Sequence, residues 1–189
     1  MIKSDVLRPV FSTEACKKPF FENGYYCFLL REKGKLARLK RVKIIGVPKD
    51  AILIKPDCAD PLNDLLGEDD YMKKRCDYIL ICSHGKHNYI TFFELKSYSS
   101  GRIEEKEVKA QFKGGKALID YIESLIFNFL GLEDCFKDFK RRCILFYAPK
   151  MGKRGSNHSF LHPHKNEINP FFYDYANPQN PPLSELIQP

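Results

Sequence analysis

The sequence lacks any run of about twenty uncharged apolar residues, the length that a membrane-spanning helix needs. Its first stretch is interrupted by Asp5, Arg8 and Pro9, so we expect no signal peptide. The seven cysteines form no C-x-x-C pair and show no metal-ligand spacing. An odd number of scattered cysteines is typical of free thiols in a reducing compartment, and we therefore expect a cytoplasmic protein without a disulfide framework.

The composition fits one domain with an extension. The chain has 189 residues, of which 43% are hydrophobic, and this is enough for a sizeable core. The sequence contains no internal repeat and no low-complexity block. We expect a single domain over residues 1–150, with its central part at about 60–150. Residues 151–189, which hold half of the prolines, are expected to form a loop-rich C-terminal extension.

Basic residues are clustered along the chain. The net charge is +7, and residues 31–43 hold seven basic residues against one acidic residue. A second basic region extends from Lys137 to Lys165, and residues 57–70 between the two regions are acidic. Clustered Lys and Arg favour a polyanionic partner, with nucleic acid as the first candidate. Two solvated basic surfaces would explain the same composition.

The apolar patterns predict an α+β (α/β) fold. Residues 25–54 are typical of strands that would extend a central sheet, and residues 59–74 predict a short helix or two. Two apolar runs around Gly85-Lys86 predict a β-hairpin, and residues 143–149 predict a further buried strand. From residue 60 onward the predicted order of elements is therefore α-β-β-α-β.

A long helix is predicted after the hairpin, and Gly131 is a typical stop signal for it. The apolar or small positions recur with gaps of four and three residues, which places them on one helical face. These positions are Val108, Phe112, Gly115, Ile119, Ile122, Ile126 and Phe129. Gly114 and Gly115 each cost about 1 kcal/mol in a helix interior, and close packing of the helix against the sheet would explain Gly115.

The hairpin brings three charged residues to one end of the sheet. With the turn at Gly85-Lys86, paired residue numbers add up to 171, so Asp77 lies opposite Glu94. Residues two apart on a strand share a face, so Lys96 joins them there. Directly opposed carboxylates lie about 5 Å apart at Cβ and repel each other unless something positive lies between them. A bulge in the hairpin would shift this register.

Mg²⁺ is the natural partner of such a carboxylate pair, because it takes oxygen ligands and keeps several waters. A divalent cation beside a lysine is one way to attack a phosphodiester, since the cation lowers the pKa of water and neutralises developing charge. A solvated strand edge or a surface ion pair would also explain Glu94-x-Lys96. The basic composition and the Asp77 register favour the functional interpretation.

Asp77, the hairpin, Glu94-x-Lys96 and the following helix resemble the PD-(D/E)XK nuclease superfamily, which has the restriction-endonuclease-like fold. The family pattern has an Asp near the start of one strand and (Asp/Glu)-x-Lys on the next, on an α-β-β-β-α-β core. The resemblance covers about residues 60–150 and implies a central mixed sheet flanked by helices. Cys76 stands where many members have proline, and the literal Pro56-Asp57 pair lies outside the hairpin.

The resemblance also implies roles for the residues. Asp77 and Glu94 would bind Mg²⁺, or Mn²⁺ in its place, together with the carbonyl of Leu95, and Lys96 would position the attacking water. Many members carry a Gln on the following helix, and Gln111 fits, although Gly115 stands where the RecB-like subgroup has a Tyr. Some members take a further carboxylate from the preceding helix. The candidates here are Glu68, ranked first, and Asp64, Asp69 and Asp70.

Two other patterns concern substrate and metal binding. Lysines recur along the predicted helix with gaps of three, four and three. They form either a basic stripe that could bind phosphates or, together with the neighbouring glutamates, a solvated mixed-charge face. The stripe is Lys106, Lys109, Lys113 and Lys116, and Lys153 and Arg154 in the extension are further candidates. The histidines His158, His162 and His164 could bind zinc, but their spacing favours a polar loop.

We therefore expect a Mg²⁺-dependent nuclease that hydrolyses phosphodiester bonds in DNA, or less readily in RNA, and serves restriction, repair or defence. A small nuclease domain of this kind often acts as a homodimer or with a partner protein. The alternatives are a nucleic-acid-binding module that keeps the fold without cleaving, and a scaffold protein whose basic patches bind an acidic partner. The sequence does not distinguish endonuclease from exonuclease action.

Overall fold

The computed structural model describes residues 14–32, 41–58, 72–97, 105–148, 170–174 and 180–187. In chain order the strands are β1 Cys16–Lys17, β2 Phe20–Glu22, β3 Tyr25–Leu30, β4 Val42–Ile45, β5 Ile52–Ile54, β6 Tyr78–His84, β7 His87–Ser97, β8 Phe139–Ala148 and β9 Pro170–Asp174. The α-helices of these ranges are α1 Glu105–Leu130 and α2 Leu183–Ile187, and a short 3-10 helix covers Pro56–Cys58. The predicted mixture of helix and strand is confirmed.

The main sheet has six strands in the order β1-β5-β6-β7-β8-β9. Strands β1, β5, β6 and β7 pair antiparallel, whereas β8 is parallel to β7 and β9 is parallel to β8. A parallel pair needs a crossover connection, and α1 supplies it between β7 and β8. The sheet is therefore mixed, as the sequence predicts.

The central hairpin has the predicted register. Strands β6 and β7 pair from Tyr78 with Phe93 to His84 with His87, so that each pair of numbers adds up to 171. Gly85 in the turn has φ +60°, a left-handed conformation that glycine adopts without steric cost. No residue of the ladder is skipped, so the side chains keep their alternation up to the charged end of the hairpin.

The helix α1 packs on one face of the main sheet. Its buried positions are the predicted ones from Val108 to Ile126, together with Gln111 and Leu118. They pack with the isoleucines of β5 and β6, with Ile90 and Phe92 of β7 and with Leu145 of β8. The prediction is wrong for Phe129, which is 80% exposed. Gly131 ends the helix with φ +67° and donates its N–H to the carbonyl of Phe127, which confirms the stop signal.

The glycine pair of α1 allows a close approach to the chain before β6. A Cβ on Gly114 would overlap the carbonyl oxygen of Lys74, and a Cβ on Gly115 would come within 2.6 Å of the Cys76 sulfur. The predicted reason for Gly115, close packing of helix against sheet, is confirmed. Both glycines also hold the helix near the start of β6.

The opposite face of the main sheet is covered by a second sheet, of order β2-β3-β4. The prediction that residues 25–54 widen the central sheet is right for Ile52–Ile54 and wrong for Tyr25–Leu30 and Val42–Ile45. Strands β3 and β4 pair with each other, and their buried side chains pack on those of Leu80, Phe93 and neighbouring residues. The buried side chains of β3 and β4 therefore cover a face of the main sheet, and the two strands do not extend its edge.

The hydroxyl of Tyr78 connects the second sheet to the first residue of β6. It donates to the carbonyl of Arg31 and accepts from the N–H of Arg31, both at 3.0 Å. The end of β3 is thus fixed beside the start of β6.

Two segments of the C-terminal extension, residues 170–174 and 180–187, contain regular structure that the proline content does not predict. Residues 170–174 add strand β9 to the main sheet, and α2 buries Leu183, Leu186 and Ile187 in the core between the two sheets. The N–H of Ile45 donates to the carbonyl of Pro181, which fixes the start of α2 to β4. A loop-rich extension is therefore wrong for these two segments.

All seven cysteines lie in the described ranges and are free thiols, as predicted. No helix in those ranges is long and apolar enough to cross a membrane. The helix predicted over residues 59–74 falls almost wholly outside the described residues.

Candidate active site

Two carboxylates meet at the charged end of the hairpin. Asp77 directly precedes β6, and continuing the ladder places it opposite Glu94 of β7. Backbone N–H groups donate to both side chains: the Asp77 N–H donates to Oε2 of Glu94 at 3.2 Å, and the Leu95 N–H donates to Oδ2 of Asp77 at 2.8 Å. Glu94 is only 1% exposed. Glu94 is therefore buried and Asp77 half-buried beside it, and both are fixed by these hydrogen bonds on the α1 side of the sheet.

Lys96 lies two residues further along β7 and on the same face. Its Nζ is 3.1 Å from Oε1 of Glu94 and 3.3 Å from Oε1 of Glu107 on α1. Oε1 of Glu107 is also 3.4 Å from Nζ of Lys74. A chain of alternating charges thus extends from Glu94 through Lys96 and Glu107 to Lys74.

Burial dominates the acid–base properties of the pair. The pKa of Glu94 is raised from 4.5 to about 8, mainly by loss of solvent and next by the charge of Asp77, against the lowering effect of Lys96. Loss of solvent likewise raises the pKa of Asp77 from 3.8 to about 6, against the lowering effect of its hydrogen bond from Leu95. The pKa of Lys96 is raised because Glu94 and Glu107 outweigh its own partial desolvation. Two carboxylates that resist ionisation together need more positive charge than Lys96 alone supplies.

The site fits a hard divalent cation. Carboxylate oxygens are the ligands that Mg²⁺ prefers, and a cation beside Asp77 and Glu94 would favour their ionised forms. In an extended strand the N–H and C=O of one residue lie on the same edge, and the N–H of Leu95 points to Asp77. The carbonyl of Leu95 therefore lies on the Asp77 edge of β7, where it could serve as a further ligand.

Within the described ranges, no group of three or more His, Cys, Asp or Glu side chains could hold a metal ion. A cation at Asp77 and Glu94 would need carbonyl and water oxygens to complete its shell. Mg²⁺ commonly accepts such a shell, with one or two carboxylates and several waters.

Gln111 lies along α1 at the level of Glu94. Glu107 contacts Lys96, and Gly115 lies against Phe92, so α1 runs opposite in direction to β7. Eight helical residues cover about 12 Å and four strand residues about 13 Å, so Gln111, midway between 107 and 115, is level with residue 94. Gln111 is 9% exposed, and its buried Oε1 has no hydrogen-bond partner among the described residues. A buried amide oxygen without a partner is rare in folded proteins, and a water, an ion or a catalytic role can explain it.

The sequence did not indicate that Glu107 and Glu32 belong to this end of the sheet, and it ranked Asp57 well below Asp77. Glu107 was read as part of a solvated, mixed-charge face, although its spacing of four from Gln111 places both on one side of a helix. Asp57 follows β5, and the β5–β6 register brings the end of β5 next to the start of β6. The charges of Asp57 and Glu32 are the smaller influences that raise the pKa of Asp77. Only knowledge of the sheet order could have brought Asp57 and Glu32 to Asp77.

The predicted nucleic-acid contacts are only partly within the described residues. Lys106, Lys109 and Lys113 of α1 are exposed, and Lys116 is half-buried. Predictions that concern residues outside the described ranges remain predictions. They are those for Glu68, Asp64, Asp69, Asp70, Lys153, Arg154, His158, His162 and His164.

No protein family model, curated protein or solved structure matches the chain. The fold and the site define a mixed α+β protein in which a buried carboxylate, Glu94, lies opposite Asp77 and next to a lysine at the end of a central hairpin.

Proposed function

We propose that the chain is a metal-dependent nuclease of restriction-endonuclease-like fold that hydrolyses phosphodiester bonds in DNA, and less readily in RNA. The observation that carries the proposal is the pairing of half-buried Asp77 with buried Glu94, which has Lys96 3.1 Å away. Burying a carboxylate such as Glu94 next to a second carboxylate costs several kcal/mol unless partners compensate it. Such an arrangement is more easily explained by chemistry than by stability.

The order of elements around the site supports the same proposal. Three antiparallel strands, β5, β6 and β7, are followed by α1 and then by β8. This order resembles the β-β-β-α-β part of the core of the PD-(D/E)XK superfamily. Asp77 directly before β6 and Glu94-x-Lys96 near the end of β7 are similar to the family pattern, which supports the proposal.

Asp77, Glu94 and the carbonyl of Leu95 would hold Mg²⁺, or Mn²⁺ in its place. When bound, the cation lowers the pKa of water and neutralises the charge that develops on the phosphate. Occupation would compensate the repulsion between the two carboxylates and leave the ammonium of Lys96 available to the reaction.

Lys96 has the position and charge to orient the attacking water. Its Nζ carries three donors, and two carboxylate oxygens accept from it in the free protein, which fixes the ammonium at the end of β7. Gln111 would orient the same water or a phosphate oxygen through its side-chain amide. The exposed lysines Lys109 and Lys113 of α1, with Lys116, would bind substrate phosphates by counterion release.

The seven free cysteines support a location in the cytoplasm, where thiols stay reduced. Nucleic acid is the proposed partner. A homodimer, or a complex with another protein, would extend the surface with which a small nuclease domain contacts it. We also propose that the nuclease acts in restriction, repair or defence.

A nuclease panel tests the function. The purified chain is incubated with Mg²⁺ or Mn²⁺ on single-stranded, double-stranded and branched DNA and on RNA. We expect cleavage of at least one DNA form, and we expect Glu94→Gln or Lys96→Met to reduce the rate by about a hundredfold or more. Binding of the same substrate, measured in Ca²⁺ by fluorescence anisotropy, should persist in both variants.

Asp120→Asn is the matched control, because Asp120 is an exposed carboxylate of α1 that pairs with Arg141 at 2.8 Å. Its cleavage rate should equal that of the wild type. A wild-type chain that binds DNA but cleaves none of the substrates would be a binding module. A chain that neither binds nor cleaves would favour a scaffold protein.

A further inference from the structure

Glu107 is a carboxylate to which the proposed reaction assigns no part, yet it touches the lysine on which that reaction depends. Its Oε1 lies 3.3 Å from Nζ of Lys96 and 3.4 Å from Nζ of Lys74. Both ammonium groups face the same oxygen: Lys96 lies at the end of β7, and Lys74 lies in the chain just before β6. Glu107 is a third exposed, so it is not buried as a core residue.

Lys96 is held from two sides in the free protein. Glu94 lies at 3.1 Å on the sheet and Glu107 at 3.3 Å on the helix. A divalent cation held by Asp77 and Glu94 would compensate the charge of Glu94, and the attraction of Glu94 for Lys96 would then weaken. Glu107 would become the main anionic contact of Lys96 at the moment when the lysine has to be in place.

We propose that Glu107 is the positioning residue of Lys96, which it keeps at the end of β7 while the carboxylate pair is engaged with a cation. The proposal rests on the proposed nuclease function. Lys74 shares the carboxylate and ties it to the start of β6, so that Glu107 joins the helix, the strand end and the preceding chain through one oxygen. Glu107 thus acts through the ammonium group of Lys96.

The kinetic test uses Glu107→Gln, which keeps the size and a hydrogen-bond acceptor but removes the charge. On whichever nucleic acid the wild type cleaves, we expect kcat to fall by about tenfold to a hundredfold. We expect KM to stay the same or to fall, because removal of a negative charge does not weaken binding of a polyanion. A merely structural or surface role would leave kcat unchanged, and that result would overturn the proposal.

A second measurement does not depend on cleavage. Lysine acetylation with an N-hydroxysuccinimide ester, followed by mass spectrometry, reports how firmly each ammonium is held. Without divalent cations, we expect Lys96 in Glu107→Gln to react about two to five times faster than in the wild type. Lys86, exposed in the hairpin turn, is the internal reference, and Asp120→Asn is the control variant. Equal Lys96 rates in wild type and Glu107→Gln would overturn the proposal.

Lys74→Met separates the two cations that share the oxygen. With Lys74 removed, Glu107 interacts more strongly with Lys96, so Lys96 should be acetylated at the wild-type rate or more slowly. A faster rate would show that Lys74, not Glu107, holds the arrangement together, and would overturn the assignment.

The two proposals fail in distinguishable ways. A wild type that cleaves no substrate overturns the nuclease function, and with it the catalytic meaning of Glu107. The acetylation of Lys96 then still decides whether Glu107 holds it. A wild type that cleaves, with Glu107→Gln equal to it in kcat, leaves the nuclease intact and removes Glu107 from its machinery.

Discussion

Glu94 is a carboxylate placed among apolar side chains, with Phe93 and Leu95 on either side of it in the chain. Its oxygens are directed to the N–H of Asp77 and the ammonium of Lys96. Hydrogen bonds to charged groups contribute about 1.5–3 kcal/mol each, which is less than the cost of burying an ion that lacks full compensation. The free protein should therefore prefer one of the two carboxylates protonated near neutral pH.

This preference predicts how stability depends on pH. Burial raises the pKa of Asp77 to about 6 and of Glu94 to about 8. Folding thus favours the protonated forms: the stabilisation is complete below the unfolded pKa values near 4 and is lost as the pH rises through the folded values. In EDTA, we expect the free energy of unfolding from urea titrations to decrease between about pH 5 and pH 8.5.

Mg²⁺ should reverse that decrease. A ligand that binds only the folded state stabilises it, and it binds best where both carboxylates are ionised. We expect added Mg²⁺ to raise Tm at pH 8 and to have little effect at pH 5. Glu94→Gln should flatten the pH profile and abolish the Mg²⁺ response, whereas Asp120→Asn should change neither. A wild-type profile that rises between pH 5 and pH 8.5 would contradict the assignment.

At the scale of elements, the distance between α1 and the start of β6 is set by two glycines. Alanine favours a helix over glycine by about 1 kcal/mol, so an unobstructed Gly→Ala change would stabilise α1. At position 114 the new Cβ would overlap the backbone oxygen of Lys74, which is not the end of a flexible side chain. This overlap makes the Gly114→Ala change destabilising rather than stabilising.

Gly114→Ala should therefore lower the free energy of unfolding by about 1–3 kcal/mol, measured by urea denaturation. The matched control is Ser124→Ala, an exposed position of the same helix, where the change should be neutral or slightly stabilising. Because Asp77 follows Lys74 closely, Gly114→Ala should also lower the nuclease rate. An unchanged or higher stability would show that the helix is not held against residue 74.

The hairpin and α1 could be predicted because their signals are local. A glycine turn sets the register, and the pairing of Asp77 with Glu94 follows from it. The membership of β3 and β4 in a second sheet could not be predicted, since each strand has one buried face that could cover a sheet or extend one. Strand β9 and helix α2 have five residues each, too few to show a period.

In the site, too, the contacts that follow from local signals could be predicted, and those that depend on packing could not. Asp77, Glu94 and Lys96 are related by pairing and by alternation, which the sequence contains. The contact of Glu107 with Lys96 depends on the angle and height at which α1 crosses β7, and these are set by packing around Gly114 and Gly115. Helical spacing indicates the face on which Glu107 lies, but not the strand residue that it meets.

At the scale of the whole molecule, the main sheet has a core on each face. Helix α1 covers one face, and the second sheet with α2 covers the other. A three-layer arrangement of this kind buries the central strands on both sides, which explains why β6 and β7 are almost continuously apolar. The short helix α2, far along the chain from β4, completes the second core.

Leu183→Ala tests that contribution. Leu183 is fully buried in α2, so its truncation should cost about 2–5 kcal/mol of unfolding free energy. Leu132→Ala removes the same atoms from a residue that is 38% exposed, and its cost should be well below that of Leu183→Ala. Urea denaturation of both variants measures the difference. Equal effects would mean that α2 is not part of the core.

The unbroken ladder of the hairpin also restricts how the chain can change in length. One residue inserted between Cys76 and Gly85, or between Lys86 and Lys96, would turn every later side chain of that strand to the other face. Such an insertion would exchange the two cores and separate Glu94 from Asp77. Related chains should therefore gain or lose residues at the turn or before Cys76, while the spacing within each strand stays fixed.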